Sequence, residues 1–302
     1  MTPFLELQAV TKAYDRHLAV DAVSFSVPRG RVFGLLGPNG AGKTTTIRMI
    51  TGIIGPDSGT ILFDGEPLAP AHARRMGYMP EERGLYKKVK VLEQVVYLLM
   101  LKGLSRQAAT RAAHQWLDRL GLEAWKNRNT TDLSKGMHQK VQFITTVAHQ
   151  PSLLILDEPF SGLDPVNARV VEEEIMRLRD EGATIIFSTH RLEQVEEFCD
   201  YIVLINQGKV ILQDEITAVR QRFRKNLYAL EFAGDPASLS RLQGVQLSEV
   251  TARSALMHAP DDAAAREALR QILDLPLELH KFELHLPSLN DIFIELVSGQ
   301  AA

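Results

Sequence analysis

Of the 302 residues only one, Cys199, is cysteine. An intrachain disulfide and a CxxC metal or redox pair are therefore excluded, and the thiol count fits a reducing compartment. Long apolar runs are also missing. The densest, Val95 to Leu101, falls far short of the ~18 uncharged residues that a membrane-spanning helix needs. The first residues, MTPFLELQ, carry neither a basic n-region nor an apolar h-region, so no signal peptide is expected. One-sided charge is absent: 34 Lys plus Arg against 37 Asp plus Glu gives a net charge of −3. That balance disfavours a globally basic nucleic-acid binder, though not a local basic patch. There is no internal repeat and no low-complexity tract. What remains is an ordinary globular composition, 45% hydrophobic and 24% charged, in a chain long enough for about two domains.

Alternation at 4–10 (FLELQAV) and 23–27 (VSFSV) predicts half-buried strands. The run RVFGLL at 31–36 ends in a glycine-rich turn, after which Thr44 to Ile50 reads as a helix. TILF at 60–63 followed by Asp64-Gly65 reads as a strand and tight turn. The apolar runs LLIL at 153–156 and TIIF at 184–187 suit central parallel strands covered on both faces. Helices are expected at 91–101, 106–120, 166–179 and 191–198, and a hairpin at 202–212. The helix at 91–101 has almost no polar face, so it is either enclosed or meets a partner. The Arg/Lys-rich segment 218–226 reads as a solvated linker. Beyond it lie strands at 227–232, 254–259 and 277–286, a helix at 261–273, and a last helix capped by Ser288.

Residues 37–44, GPNGAGKT, match GxxxxGK[ST] between an apolar strand and a helix. Gly37, Gly40 and Gly42 let the backbone curl so that successive N–H groups face an anion. The expected nucleotide-binding set is Gly37, Pro38, Asn39, Gly40, Ala41, Gly42, Lys43, Thr44 and Thr45. Lys43 would reach the β- and γ-phosphates, and the Thr44 hydroxyl would face Mg²⁺. The following helix would aim its positive end at the phosphates. About 110 residues later, LLILDE delivers two carboxylates to the C-terminal end of a strand, where parallel sheets bind ligands. Asp157 suits Mg²⁺, and Glu158 suits polarising an attacking water.

Further segments fall into order around these two: LSKGM at 133–137 ahead of a helix, SGLD at 161–164, His190 after TIIFST, and Tyr14 lying 29 residues before Lys43. This series closely resembles the ATP-binding subunits of ATP-binding-cassette (ABC) proteins over about residues 4–216. The resemblance implies an α/β fold of the P-loop NTPase, ABC type: a parallel-sheet core, an antiparallel β-subdomain and a helical subdomain at about 88–150. This domain would span 1–217, followed by a small C-terminal α+β domain at 218–302. It implies that Tyr14 stacks on adenine. Ser134 and Gly136 would close over the γ-phosphate of a second, facing subunit, Asp164 would link the two sites, and His190 would touch the γ-phosphate. Lys43, Glu158 and His190 would form the catalytic set, and Thr44, Asp157 and Glu81 the Mg²⁺ set. Two departures stand out. The usual LSGGQ is broken by Lys135 and Met137, and the usual glutamine before the helical subdomain is Glu81, which cannot donate as an amide does.

DNA-repair members of the family insert a long coiled coil, whereas only about 90 residues separate Lys43 from Ser134 here. Translation-type members carry two cassettes, and this chain has one. A transporter motor remains: an ATPase sandwiching ATP between two subunits and powering export through a separately encoded permease. It would sit at the cytoplasmic face of the membrane, with no nucleic-acid partner expected. YMPEERGLY, LSKGM and PSLNDIFIELV together resemble a bacterial sodium-efflux and drug-export subgroup. The alternative is a soluble ABC-type switch acting on nucleic acid, ribosomes or a protein complex.

Overall fold

The computed structural model describes residues 3–15, 17–82, 84–189 and 191–298. They form two compact units that divide between Glu215 and Ile216, two residues ahead of the boundary drawn from the sequence.

The first unit opens with β1 (Leu5–Tyr14), β2 (His17–Val27) and β3 (Val32–Leu36), then α1 (Lys43–Ile50), β4 (Ser58–Phe63), β5 (Glu66–Pro67) and β6 (Met76–Met79). Three helices follow, α2 (Val91–Leu101), α3 (Arg106–Arg119) and α4 (Lys135–Val147). The unit closes with β7 (Leu153–Asp157), α5 (Pro165–Asp180), β8 (Thr184–Ser188), α6 (Leu192–Phe198), β9 (Tyr201–Asn206) and β10 (Lys209–Glu215). Two sheets result. One is antiparallel, in the order β2-β1-β4-β5; the other runs β10-β9-β3-β8-β7-β6, parallel except for the β10–β9 hairpin. Every residue of β3, β7 and β8 is buried, which is why these strands carry apolar side chains on both faces. Asp64 and Gly65 turn β4 into β5 with φ of 57° and 83°, as a type I′ turn requires.

β6 was not anticipated. Its four residues, MGYM, are too few to show a period, yet they pair in parallel with Leu153–Leu156 and extend the sheet. Gly77 allows this edge to lie against α4: a Cβ there would collide with the Thr146 carbonyl. Lys102, at the end of α2, fixes the same edge by donating to the Ala73 and Met76 carbonyls at 2.9 and 2.8 Å.

The three helices α2 to α4 pack together, with Trp116 and Phe143 edge to face. Ser105 caps α3 and Ser134 caps α4, each hydroxyl accepting from a backbone N–H three residues on. Arg119 on α3 bonds the Glu174 carboxylate on α5, and the Arg119 and Arg177 guanidiniums both lie over the Trp116 ring. Helix α2 is only partly enclosed. Val91, Val95 and Leu99 are enclosed, while Tyr97, Met100 and Leu101 are exposed.

The second unit comprises α7 (Ile216–Arg222), β11 (Leu227–Gly234), β12 (Gln246–Ser248), β13 (Ser254–His258), α8 (Asp262–Leu273), β14 (Leu277–His285) and α9 (Leu289–Ser298). Its antiparallel sheet, β12-β13-β11-β14, has a core of Tyr228, Leu230, Phe232 and Met257. The small residues Ala265 and Ala268 bring α8 into that core. The basic segment is not a solvated linker. Arg220 donates to the Pro287 and Leu286 carbonyls at 3.0 and 3.3 Å, Arg224 bonds Asp262, and Lys225 pairs with Glu295 at 2.7 Å. These cations fold into the unit because its returning strand and helices supply the acceptors. The Ser288 hydroxyl accepts from the Asp291 N–H at 3.1 Å, capping α9.

Candidate nucleotide site

The ends of β3 and β7 lie in one parallel sheet, so the loops that follow them open at the same edge. Between them is a cavity of about 570 Å³ lined by Tyr14, His17, Asn39, Gly40, Gly42, Lys43, Thr44, Thr45, Glu81, Asp157, Glu158 and Ser188, among others. Ten residues singled out from the sequence thus meet in one space. Gly37, Pro38 and Ala41 form the back of the loop, where the Ala41 N–H donates to the Pro38 carbonyl at 3.2 Å. His17 and Ser188 also line the cavity, though nothing in the sequence marked them.

The loop needs its glycines for different reasons. Gly37, Gly40 and Gly42 have φ of 148°, 78° and 106°. A Cβ on Gly37 would strike the Ile205 carbonyl and one on Gly42 the Ala19 carbonyl, whereas one on Gly40 would meet open space. The Lys43 ammonium donates to the Gly37 and Pro38 carbonyls at 2.7 and 3.0 Å, curling over the loop it terminates. Burial lowers its pKa, and the Asp157, Glu158 and Glu81 carboxylates oppose that shift. Burial likewise raises the Asp157 carboxyl, the Ser188 hydroxyl pulls it down, and Glu81 and Glu158 add to the rise. One cation thus faces three carboxylates, in a space where loop N–H groups and the start of α1 already favour anions.

Glu158 follows β7 with φ of 51°, a left-handed backbone. Its N–H donates to the Ser188 carbonyl at 2.9 Å, and its carboxylate accepts from the Thr189 hydroxyl at 3.2 Å. Tyr14, 43% exposed, lies at the cavity rim with the Lys12 ammonium 5.8 Å from its ring centre. Glu81 follows the β6 strand, which is what carries it to this edge.

Ser134, Gly136 and Asp164 do not line the cavity. They form a second surface: a Cβ on Gly136 would stand 3.5 Å from the Leu163 side chain. Asp164 caps α5, accepting from the Val166 and Asn167 N–H groups at 3.1 Å. His190 lies outside the described residues.

Comparison with known proteins identifies the family. The family model described as "ABC transporter" matches residues 20–161. A second, "ATP-binding protein DrrA1-3-like, C-terminal domain", matches residues 215–297. The uncharacterized ABC transporter ATP-binding protein YhaQ of Bacillus subtilis is 40% identical, over 98% of this chain and 99% of its own length. The chain belongs to the ATP-binding subunits of ABC transporters. Nod factor export ATP-binding protein I of Cupriavidus metallidurans is 36% identical over 70% of this chain and 71% of its own. A solved structure described as the ATP-binding subunit of an ABC transporter superposes with a TM-score of 0.69 at 34% identity, covering 73% of this chain and 93% of that one. As an ABC subunit the chain is an ATPase, a motor of the transport family. Subunits of this family dimerise and partner with membrane permeases. Among the described residues no helix is long and apolar enough to cross a membrane.

Proposed function

We propose that this subunit binds Mg²⁺-ATP between two ATP-binding subunits and powers export through a separate permease at the membrane. The observation that carries this reading is the single cavity in which Lys43, Asp157, Glu158 and Glu81 converge while Ser134, Gly136 and Asp164 stand outside it. A site whose signature residues lie elsewhere on the chain calls for a second chain to supply them. Residues 1–217 act as the nucleotide-binding domain, with 88–150 as its helical part, and 218–302 as an accessory domain.

Loop N–H groups from Gly37 to Thr45 hold the phosphates, Lys43 offsets their charge, and Tyr14 stacks on the adenine. The Glu158 carboxylate accepts a proton from water as the water oxygen bonds to the γ-phosphorus. The bond to the ADP oxygen breaks, leaving ADP and phosphate. His190 contacts the γ-phosphate. The Thr44 hydroxyl, Asp157 and Glu81 are hard oxygen donors suited to Mg²⁺. When bound, Mg²⁺ would offset phosphate charge.

A cavity of about 230 Å³ lined by Tyr78, Leu85, Leu98, Leu101 and Gln142, among others, supports docking of a permease segment. Tyr86, Tyr97 and Met100 are exposed. The relative named for Nod factor export supports the direction. Two measurements test the reading. Glu158→Gln retains ATP binding, loses turnover and accumulates an ATP-bound dimer; parental turnover in that variant would remove Glu158 as the base. Tagged subunit drawn from gently solubilised membranes brings down a multi-helix membrane protein in stoichiometric amount. Recovery only from the soluble fraction, with ribosomes or nucleic acid attached, would overturn the transporter role and leave the ATPase intact.

A further inference from the structure

Burying an amide costs free energy that hydrogen bonds offset. Gln139 and Gln142 lie three residues apart on one side of α4, and both are buried. The Gln139 amide nitrogen donates to the carbonyls of Glu158 and Pro159 at 3.2 and 3.0 Å. Both partners can only accept, so the amide must present its NH₂ group there. Gln142 donates to the Pro80 and Glu82 carbonyls at 2.8 and 3.3 Å, on either side of Glu81. One helix thus reaches both loops that bring carboxylates to the nucleotide cavity.

The bond to Glu158 matters because of its backbone. An L-residue in the left-handed region is strained and stays there only if its surroundings hold it. Here β8 takes the Glu158 N–H through the Ser188 carbonyl, and α4 takes its C=O through Gln139. With its N–H and C=O both held, the direction in which the Glu158 Cα–Cβ bond leaves the backbone is set. Gln139 is five residues from Ser134, about 7.5 Å along a helix axis.

We propose that Gln139 is a positioning residue for ATP hydrolysis. Its amide holds Glu158 in the left-handed conformation that aims the carboxylate into the cavity, and ties that carboxylate to the helix beginning at Ser134. The proposal rests on the reading of Glu158 as the base. No bond forms or breaks at Gln139.

The test is a double-mutant cycle in the full-length chain, with steady-state and single-turnover ATP hydrolysis. Gln139→Met keeps the volume and removes the donor. It should lower kcat by about 10²-fold, the order expected for a ~1 Å misplacement, with KM and ATP affinity within about twofold of the parent. In a Glu158→Gln background the same change should cost no further rate, because Gln139 acts through Glu158. A merely structural role would instead raise KM, or lower the rate equally in both backgrounds. Gln139→Asn keeps the amide but withdraws it by one methylene. It should give an intermediate kcat, and it carries the test if Gln139→Met does not fold. Unchanged kcat in Gln139→Met, or additive losses in the double variant, would overturn the proposal. Parental turnover in Glu158→Gln alone is a separate result, and would instead remove the reading of Glu158 on which the proposal depends.

Discussion

Gly37 and Gly40 belong to the same phosphate loop and both have positive φ, yet replacing them with Ala should give very different proteins. At Gly40 the φ is 78° and a Cβ meets nothing within 4 Å. Only the left-handed backbone resists the change, at about 1 kcal/mol. At Gly37 the φ is 148°, a region all but closed to other residues, costing about 1–3 kcal/mol. There the added carbon would also fall well inside 3.0 Å of the Ile205 carbonyl oxygen, at the end of the central strand β9. That oxygen is backbone, so relief requires β9 or the loop to move, and overpacking of this kind costs a further 1–3 kcal/mol or so. The sum is about 4 kcal/mol. A domain of this size loses about 2–4 °C of Tm per kcal/mol. Gly37→Ala should therefore melt about 8–16 °C below the parent and Gly40→Ala about 2–4 °C below. Thermal unfolding of the nucleotide-binding unit measures both, and ATP titration well below either midpoint shows whether the loop still closes. Equal midpoints for the two variants would refute the steric argument.

Three further outcomes are expected. Lys43→Ala should weaken ATP binding at least tenfold in an equilibrium titration, because no other cation among the described residues lines the cavity; unchanged affinity would undo the phosphate-loop assignment. Glu81→Gln removes one of three carboxylates facing Lys43. A unit charge roughly 8 Å away is worth about 0.5–2 kcal/mol as the effective dielectric runs from about 80 to about 20, so metal-free ATP should bind roughly 2- to 30-fold more tightly; weaker or equal binding would count against the electrostatic account. His149 has its pKa pushed down from 6.5 to about 4, first by burial and then by the Lys102 ammonium, against the Met76 carbonyl bond. A folded pKa below the unfolded value means its contribution is complete above pH 6.5 and is lost as pH falls toward 4. His149→Gln should show a shallower fall of Tm between pH 7 and 5 than the parent; parallel slopes would exclude His149 as the titrating group.

The local sequence determined whatever depends on local backbone or on continuous burial. GPNGAGKT can curl around an anion because its glycines sit where positive φ is needed, and LLIL and IIF are apolar runs because both faces of a central strand are covered. Ser134, Asp164 and Ser288 cap helices from their own positions in the chain. Tertiary structure decided the rest, since its energies come from partners remote in sequence. β6 has too few residues to show a period and exists through its pairing with β7. The Arg220, Arg224 and Lys225 side chains look solvated until the second unit returns carbonyls and carboxylates to meet them. Nothing in the local sequence sets Gln139 and Gln142 apart as core residues. Only folding buries them and points their amides at the two loops that carry Glu158 and Glu81, because a glutamine enters a core when distant carbonyls are there to accept from it.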